Sequence, residues 1–223
     1  TLSDAVLYFS VSGDGRTLAH DRHTAAGKDI FVLDLETGRS RSVIVNPGKD
    51  AGPSWSPDGT RLVFYSDRDG NEELFVAELE SGQVRQITTR DEYSSYNPVW
   101  SPDADLIVYY LEKGDSKDQI YLTDAQGSFH TNLTNDDHHN IFPSWTPDGR
   151  ILYTRDRGQI MVMDADGTNK TPLAPDHIAG LIRMDPTGTK ALVSDGESNL
   201  HILHLDDLSL KRVVSRDTFK QSP

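Results

Sequence analysis

One short phrase recurs along this chain. It reads Trp55-Ser-Pro-Asp-Gly59, Trp100-Ser-Pro-Asp-Ala104 and Trp145-Thr-Pro-Asp-Gly149, with a worn copy at Met184-Asp-Pro-Thr-Gly188 and an earlier one at Val11-Ser-Gly-Asp-Gly15. The copies start at residues 11, 55, 100, 145 and 184. A period of about 40–45 residues in a β-rich chain marks the blades of a propeller. A four-stranded blade has two apolar faces and cannot bury both alone, so blades must stack and cover one another. The expected fold is therefore all-β: a β-propeller of four-stranded antiparallel blades, five by the repeat count and six as the alternative. A single domain is expected over residues 1–223. Its blades fall at roughly 4–46, 47–90, 91–135, 136–175 and 176–215, with a polar tail at 216–223.

The text between the phrases supports this. In the second repeat a strand ends at Trp55, and Pro57-Asp-Gly59 turns the chain. Strands follow at Arg61–Ser66, Glu73–Ala77 and Gln83–Thr88, separated by Asp67-Arg-Asp-Gly-Asn71 and Glu80-Ser-Gly82. β-Branched and aromatic runs bounded by Gly, Asp and Pro are what strands and turns require. The pattern repeats at Leu106–Tyr110, Gln119–Leu122 and Asn132–Thr134, then at Ile151–Thr154, Gln159–Val162 and Thr171–Leu173, and again at Ala191–Ser194, Leu200–Leu203 and Lys211–Val214. The first repeat has Thr17–Ala19, Asp29–Leu33 and Ser42–Val45. Each Trp is expected to wedge between neighbouring blades. Pro fixes φ in the turn, Asp binds its own backbone and Gly accepts positive φ.

Charge narrows the function. Thirty-five acidic residues against 22 Lys and Arg leave a net charge of −13. Nucleic acid needs clustered cations, and so does an anionic membrane surface. No apolar run reaches the ~20 residues of a spanning helix. There are no cysteines, which excludes a disulfide scaffold, a thiol nucleophile and thiolate metal sites. The chain begins at Thr1, consistent with a leader removed beforehand.

The phrases Pro53-Ser-Trp-Ser-Pro-Asp-Gly59, Phe64-Tyr-Ser-Asp-Arg-Asp-Gly70, Leu74-Phe75, Gln86-Ile-Thr88 and Met163-Asp-Ala-Asp-Gly167 resemble the TolB-type propeller repeat. The resemblance covers roughly residues 6 to 214. Similar blades occur in prolyl-oligopeptidase-like enzymes, tricorn-type proteases and oligogalacturonate lyase. The resemblance implies that the first strand of each blade lines a channel. It also implies that the loops between second and third strands, and between blades, share one face.

That face is polar. Asp21-Arg-His23, Asp67-Arg-Asp69, Glu112-Lys113 and Arg155-Asp-Arg157 are expected between second and third strands, with His20 and His23 flanking a turn. Lys49-Asp50, Asp91-Glu-Tyr93 with Tyr96, Asp136-Asp-His-His139 and Asp176-His177 are expected between blades. The repeated Asp-Arg pairs suggest ion pairs between blades. The candidate ligand-binding residues are Asp50, Tyr93, Tyr96, Asp136, Asp137, His138, His139 and His177. If a metal were held, His138, His139 and His177 would hold it. Adjacent residues of an extended chain point to opposite sides, however, and a metal needs three or four converging ligands. Asp67-Arg-Asp-Gly-Asn71 lacks the remaining ligands of a calcium loop and reads as a hairpin turn. No Gly-x-Ser-x-Gly elbow and no phosphate-binding loop is present.

The leading expectation is a non-enzymatic binding module with no cofactor. It docks a protein or peptide at the polar loops or in the channel, with no nucleic-acid partner and no insertion into a membrane. In the TolB-type reading the partner belongs to the bacterial envelope and the compartment is the periplasm, with the cytoplasm as alternative. Two other readings are a metal-assisted polysaccharide lyase or glycosidase, and the gating propeller of a larger protease.

Overall fold

A computed structural model describes residues 8–25, 27–89, 93–103, 105–114, 117–156, 158–173, 180–185, 187–195 and 199–214. The candidate His177, the turn residue Ala104 and the tail 216–223 lie outside them. Two compact units divide the chain: Thr1–Ser116 with Tyr121–Thr131, and Lys117–Ile120 with Asn132–Pro223.

The fold is all-β, with five four-stranded sheets, each a meander of consecutive strands. The first blade holds β1 (Phe9–Val11), β2 (Thr17–Thr24), β3 (Gly27–Asp34) and β4 (Ser40–Ile44). The second holds β5 (Asp50–Trp55), β6 (Arg61–Ser66), β7 (Glu73–Glu78) and β8 (Val84–Gln86). The third holds β9 (Ser94–Trp100), β10 (Leu106–Glu112), β11 (Gln119–Asp124) and β12 (Thr131–Asn132). The fourth holds β13 (Asn140–Trp145), β14 (Ile151–Arg155), β15 (Gln159–Met163) and β16 (Thr171–Pro172). The fifth holds β17 (Ile182–Met184), β18 (Lys190–Ser194), β19 (Leu200–His204) and β20 (Leu210–Val214). The first hairpin of every blade is antiparallel. These are propeller blades, five of them among the described residues.

The structure corrects several boundaries. β2 runs on to Thr24, so Asp21, Arg22 and His23 are strand residues rather than a loop. His20 is buried and stacks on Phe31 at 6.0 Å. Asp50 and Tyr96 lie in first strands, not in the connections before them. The fourth strands end early, at Gln86 and Asn132. The cause is local. The hydroxyl of Thr88 accepts the Leu74 N–H at 2.8 Å, and that of Thr134 accepts the Ile120 N–H at 3.0 Å. A side chain has taken a bond that the ladder would otherwise make.

A second feature repeats three residues before each Trp. Gly52, Asn97 and Phe142 all have positive φ, at 63°, 49° and 53°. The first-strand ladder slips register beside each of them. This is a β-bulge, which bends a strand and re-aims its side chains. Gly52 is the position where nothing larger fits: a Cβ there would lie 2.5 Å from Tyr65 Cε1.

The Ser-Pro-Asp-Gly turns are small polar knots. The Ser56 hydroxyl donates to Asp58 Oδ1 at 2.5 Å and accepts the Arg61 N–H at 3.0 Å. Asp58 also accepts the Thr60 N–H at 3.0 Å. Ser12 with Asp14, Ser101 with Asp103 and Thr146 with Asp148 repeat the arrangement. In all four the hydroxyl, aided by backbone N–H groups or a nearby arginine, holds the carboxyl below its ordinary value of 3.8. A carboxyl lowered by folding contributes stability above its unfolded pKa and loses it as pH falls through the folded value. The urea midpoint should therefore fall as pH drops below about 4. A combined Asp58→Asn, Asp103→Asn, Asp148→Asn variant should show a flatter acid limb. An identical limb would mean that these turns are indifferent to charge.

Packing follows the repeat. In the first unit Trp55 joins Ala19, Ile30 and Val32 of the first blade to Leu62, Phe64 and Phe75 of the second. Trp100 joins Val63 and Leu74 of the second to Ile107 and Tyr109 of the third. In the second unit Leu152 and Ile160 of the fourth blade meet Ile182, Val193 and Leu203 of the fifth. Met184, standing where the second, third and fourth blades have Trp, is only partly buried there.

Candidate functional site

The loop that joins the third blade to the fourth carries Asp136, Asp137, His138 and His139, and it lies in the second unit. Its conformation is fixed from below by Gln119, a buried residue at the start of β11. The Gln119 amide donates to the carbonyls of Asp136 at 3.0 Å and His138 at 2.9 Å. Its oxygen accepts the Asp136 N–H at 3.1 Å and the Thr134 hydroxyl at 2.7 Å. Asp136 is used up within the fold: it accepts Asn140 Nδ2 at 2.7 Å and pairs with Arg155 at 2.9 Å.

The two histidines part. His138 Nδ1 meets Asp156 Oδ2 at 2.6 Å, whereas His139 Nδ1 meets Asp118 Oδ2 at 2.9 Å. Asp156, engaged by His138 and by the His139 N–H against a burial penalty, sits below the ordinary carboxyl range. Asp137 is exposed. Among the described residues no three His, Asp or Glu side chains converge on a point where a metal ion could sit.

In the first unit the candidates divide differently. Asp50 is 0 % exposed and accepts Arg68 Nη2 at 2.7 Å. Burial pushes its carboxyl up, and the Ser66 and Arg68 contacts offset only part of that. The pair lies within the second blade, as the Arg155–Asp136 pair lies around the fourth, so these Asp–Arg contacts staple a blade to its own entry. Between blades the first unit uses Asp21 instead. Its Oδ2 accepts the Gly52 N–H at 3.3 Å while pairing with Lys28 at 3.1 Å.

Tyr93 and Tyr96 are half-buried against the core that Trp100 organises. Tyr96 belongs to a row of four tyrosines drawn from the first three repeats. Tyr8 meets Tyr65 edge-on at 6.2 Å, Tyr65 meets Tyr96 edge-on at 5.1 Å, and Tyr96 meets Tyr110 at 5.5 Å. Tyr65 and Tyr110 stand at equivalent positions of β6 and β10, each four residues beyond the first residue of its strand, Arg61 and Leu106. That recurrence was visible in the sequence. Beside the row lies Asn97, 1 % exposed, with neither Oδ1 nor Nδ2 hydrogen-bonded among the described residues. Nothing in the sequence distinguishes Asn97 from an ordinary turn residue.

Residues 8–180 match the family described as the TolB β-propeller domain. The chain belongs to the TolB β-propeller domain family. A TolB homologue of Chlorobium luteolum is 41 % identical over 58 residues, 26 % of this chain and 13 % of that protein. The Tol-Pal system protein TolB of Methylococcus capsulatus is 36 % identical over 83 residues, 37 % of this chain and 18 % of its own. The crystal structure of TolB from Acinetobacter baumannii superposes with a TM-score of 0.81 at 22 % identity, covering 96 % of this chain and 55 % of that one. The chain thus spans about half of that structure and matches less than a fifth of either curated relative. At such identity the structural likeness establishes the fold of the TolB-type blades, and the function rests on the site.

Proposed function

We propose that this chain is a binding module that docks an extended segment of a bacterial envelope protein, in the periplasm, and that the tyrosine row of its first unit is the main contact. The carrying observation is the row itself. Tyr65 is buried while Tyr8, Tyr96 and Tyr110 remain partly exposed along one continuous line of ring contacts. Tyrosine offers a large rigid contact surface at small entropic cost and a hydroxyl for polar partners, which is why it is favoured at interfaces. Rings already held by their neighbours lose little freedom on binding. The net charge of −13 favours a basic partner and faster association at low salt. Membership of the TolB domain family supports the envelope setting.

A photo-crosslinking amino acid in place of Tyr96 tests this in envelope extract of the source cell. The expected result is one dominant crosslinked partner, mapped by mass spectrometry to an extended basic segment and weakened by added salt. Crosslinks scattered over abundant proteins, or none, would remove the row from the binding surface. Tyr96→Ala should weaken the identified partner by about 1–3 kcal/mol, in the range of an aromatic hot spot. An unchanged Kd would count against the row as well.

A further inference from the structure

We propose that Tyr65, Tyr96 and Glu72 form a receptor for a single organic cation, a lysine or arginine side chain or a quaternary ammonium, and that Lys49 of the same chain occupies it until a partner's cation displaces it. The inference rests on the binding role of the tyrosine row and names what one part of that row recognises. Two rings meeting at 77° with centroids 5.1 Å apart make a corner. The Lys49 ammonium lies in it, 5.1 Å from the Tyr65 ring and 5.9 Å from the Tyr96 ring. Glu72 Oε1 accepts from it at 3.1 Å. Aromatic faces with a nearby carboxylate are the chemistry that holds alkylammonium groups, because ring quadrupole and negative charge act together. Glu72 is itself oriented: its Oε2 accepts the Ser94 hydroxyl at 3.2 Å. Burial opposes ionisation of Glu72, but the bonds from Lys49 outweigh it and hold the carboxyl below its ordinary range.

The occupant is replaceable. The Lys49 side chain is 37 % exposed and that of Glu72 is 23 % exposed. The backbone at Lys49 is anchored separately, its N–H donating to Asp67 Oδ1 at 2.6 Å. The long stem can therefore swing out while the chain stays in place. A contrast lies one blade earlier. Lys28 sits 5.9 Å from the Tyr8 ring and 3.1 Å from Asp21, but its side chain is 7 % exposed and the carboxylate 0 %. That lysine is part of the wall, whereas Lys49 stands at the door. In a chain with 35 acidic residues and 22 Lys and Arg, a self-supplied cation in the corner keeps the site from binding stray cations weakly. It releases the site to a partner that brings further contacts.

The test uses the full chain and two defined probes, tetramethylammonium chloride and Nα-acetyl-lysine methylamide, titrated by NMR. If Lys49 fills the corner about four-fifths of the time, its removal raises the apparent affinity about fivefold. Lys49→Met, which keeps the apolar stem, should show that gain for both probes, and Lys49→Gln should show it too. Adding Glu72→Gln or Tyr96→Ala to Lys49→Met should abolish the gain. No gain in either lysine variant would overturn the proposal, and so would a gain that survives loss of Glu72 or Tyr96. The binding role fails separately. Cation binding without any crosslinked partner would leave the corner standing and remove the module, whereas a partner whose affinity ignores Lys49 and Glu72 would do the reverse.

Discussion

Trp55→Ala and Trp100→Ala are each expected to lower the stability of the protein by about 3–5 kcal/mol, the usual cost of emptying a large aromatic from a packed core. Trp55 is enclosed by side chains of the first and second blades, and Trp100 by those of the second and third. Neither ring is held by its indole N–H, which has no hydrogen-bond partner among the described residues in either case. Their contribution is therefore packing, and that is why truncation should cost so much: the hole opens between two sheets that cannot close on it. Denaturant midpoints with unchanged m-values would measure the effect. Losses below about 1 kcal/mol would mean that the neighbouring blades relax into the space. Met184→Ala in the fifth blade should cost less, because Met184 is only partly buried.

Gly127→Ala should be strongly damaging, and Gly82→Ala is its control. Both glycines sit in hairpin turns with φ of 72°. The left-handed backbone alone costs a residue with a Cβ about 1–2 kcal/mol. At Gly82 nothing lies within 4 Å of an added Cβ. At Gly127 that Cβ would stand 2.3 Å from the carbonyl oxygen of Ile87, in the preceding blade. Backbone cannot turn aside as a side chain can, so blade must move from blade. Overpacking adds about 1–3 kcal/mol to the strain. The expected order is a modest loss for Gly82→Ala and a loss roughly twice as large or more for Gly127→Ala. Equal losses would show that the turn of the third blade does not press on the second. Gly167 repeats the contact in the second unit, 2.8 Å from the carbonyl of Leu133.

Much of the site was less legible than the fold. Asp136, His138 and His139 form a polar cluster in the sequence, yet the structure binds Asp136 to Asn140 and Arg155 and sends the histidines to separate carboxylates. The anchor of that loop, Gln119, read only as the first residue of a strand. Tyr96 stands out among the polar residues between blades, whereas Tyr65 and Tyr110 sit in strands that read as merely apolar, and Tyr8 lies just before β1. Glu72 is an ordinary glutamate after a turn in the sequence, and only the fold brings an ammonium to 3.1 Å from it.

The amino-acid order alone determined the propeller class and a repeat of five copies, most of the strand and turn chemistry inside each and the ends of three first strands at Trp55, Trp100 and Trp145. Those features depend on interactions between near neighbours in the chain, and each repeat writes them out again. Only the tertiary structure decided that β2 extends through Asp21, that a bulge aims Asn97 inward and that Lys49 rests against Tyr65, Tyr96 and Glu72. Those partners come from different strands and loops and share no period. Their meeting depends on how one sheet lies on the next, and a side chain's identity does not record which neighbour will arrive.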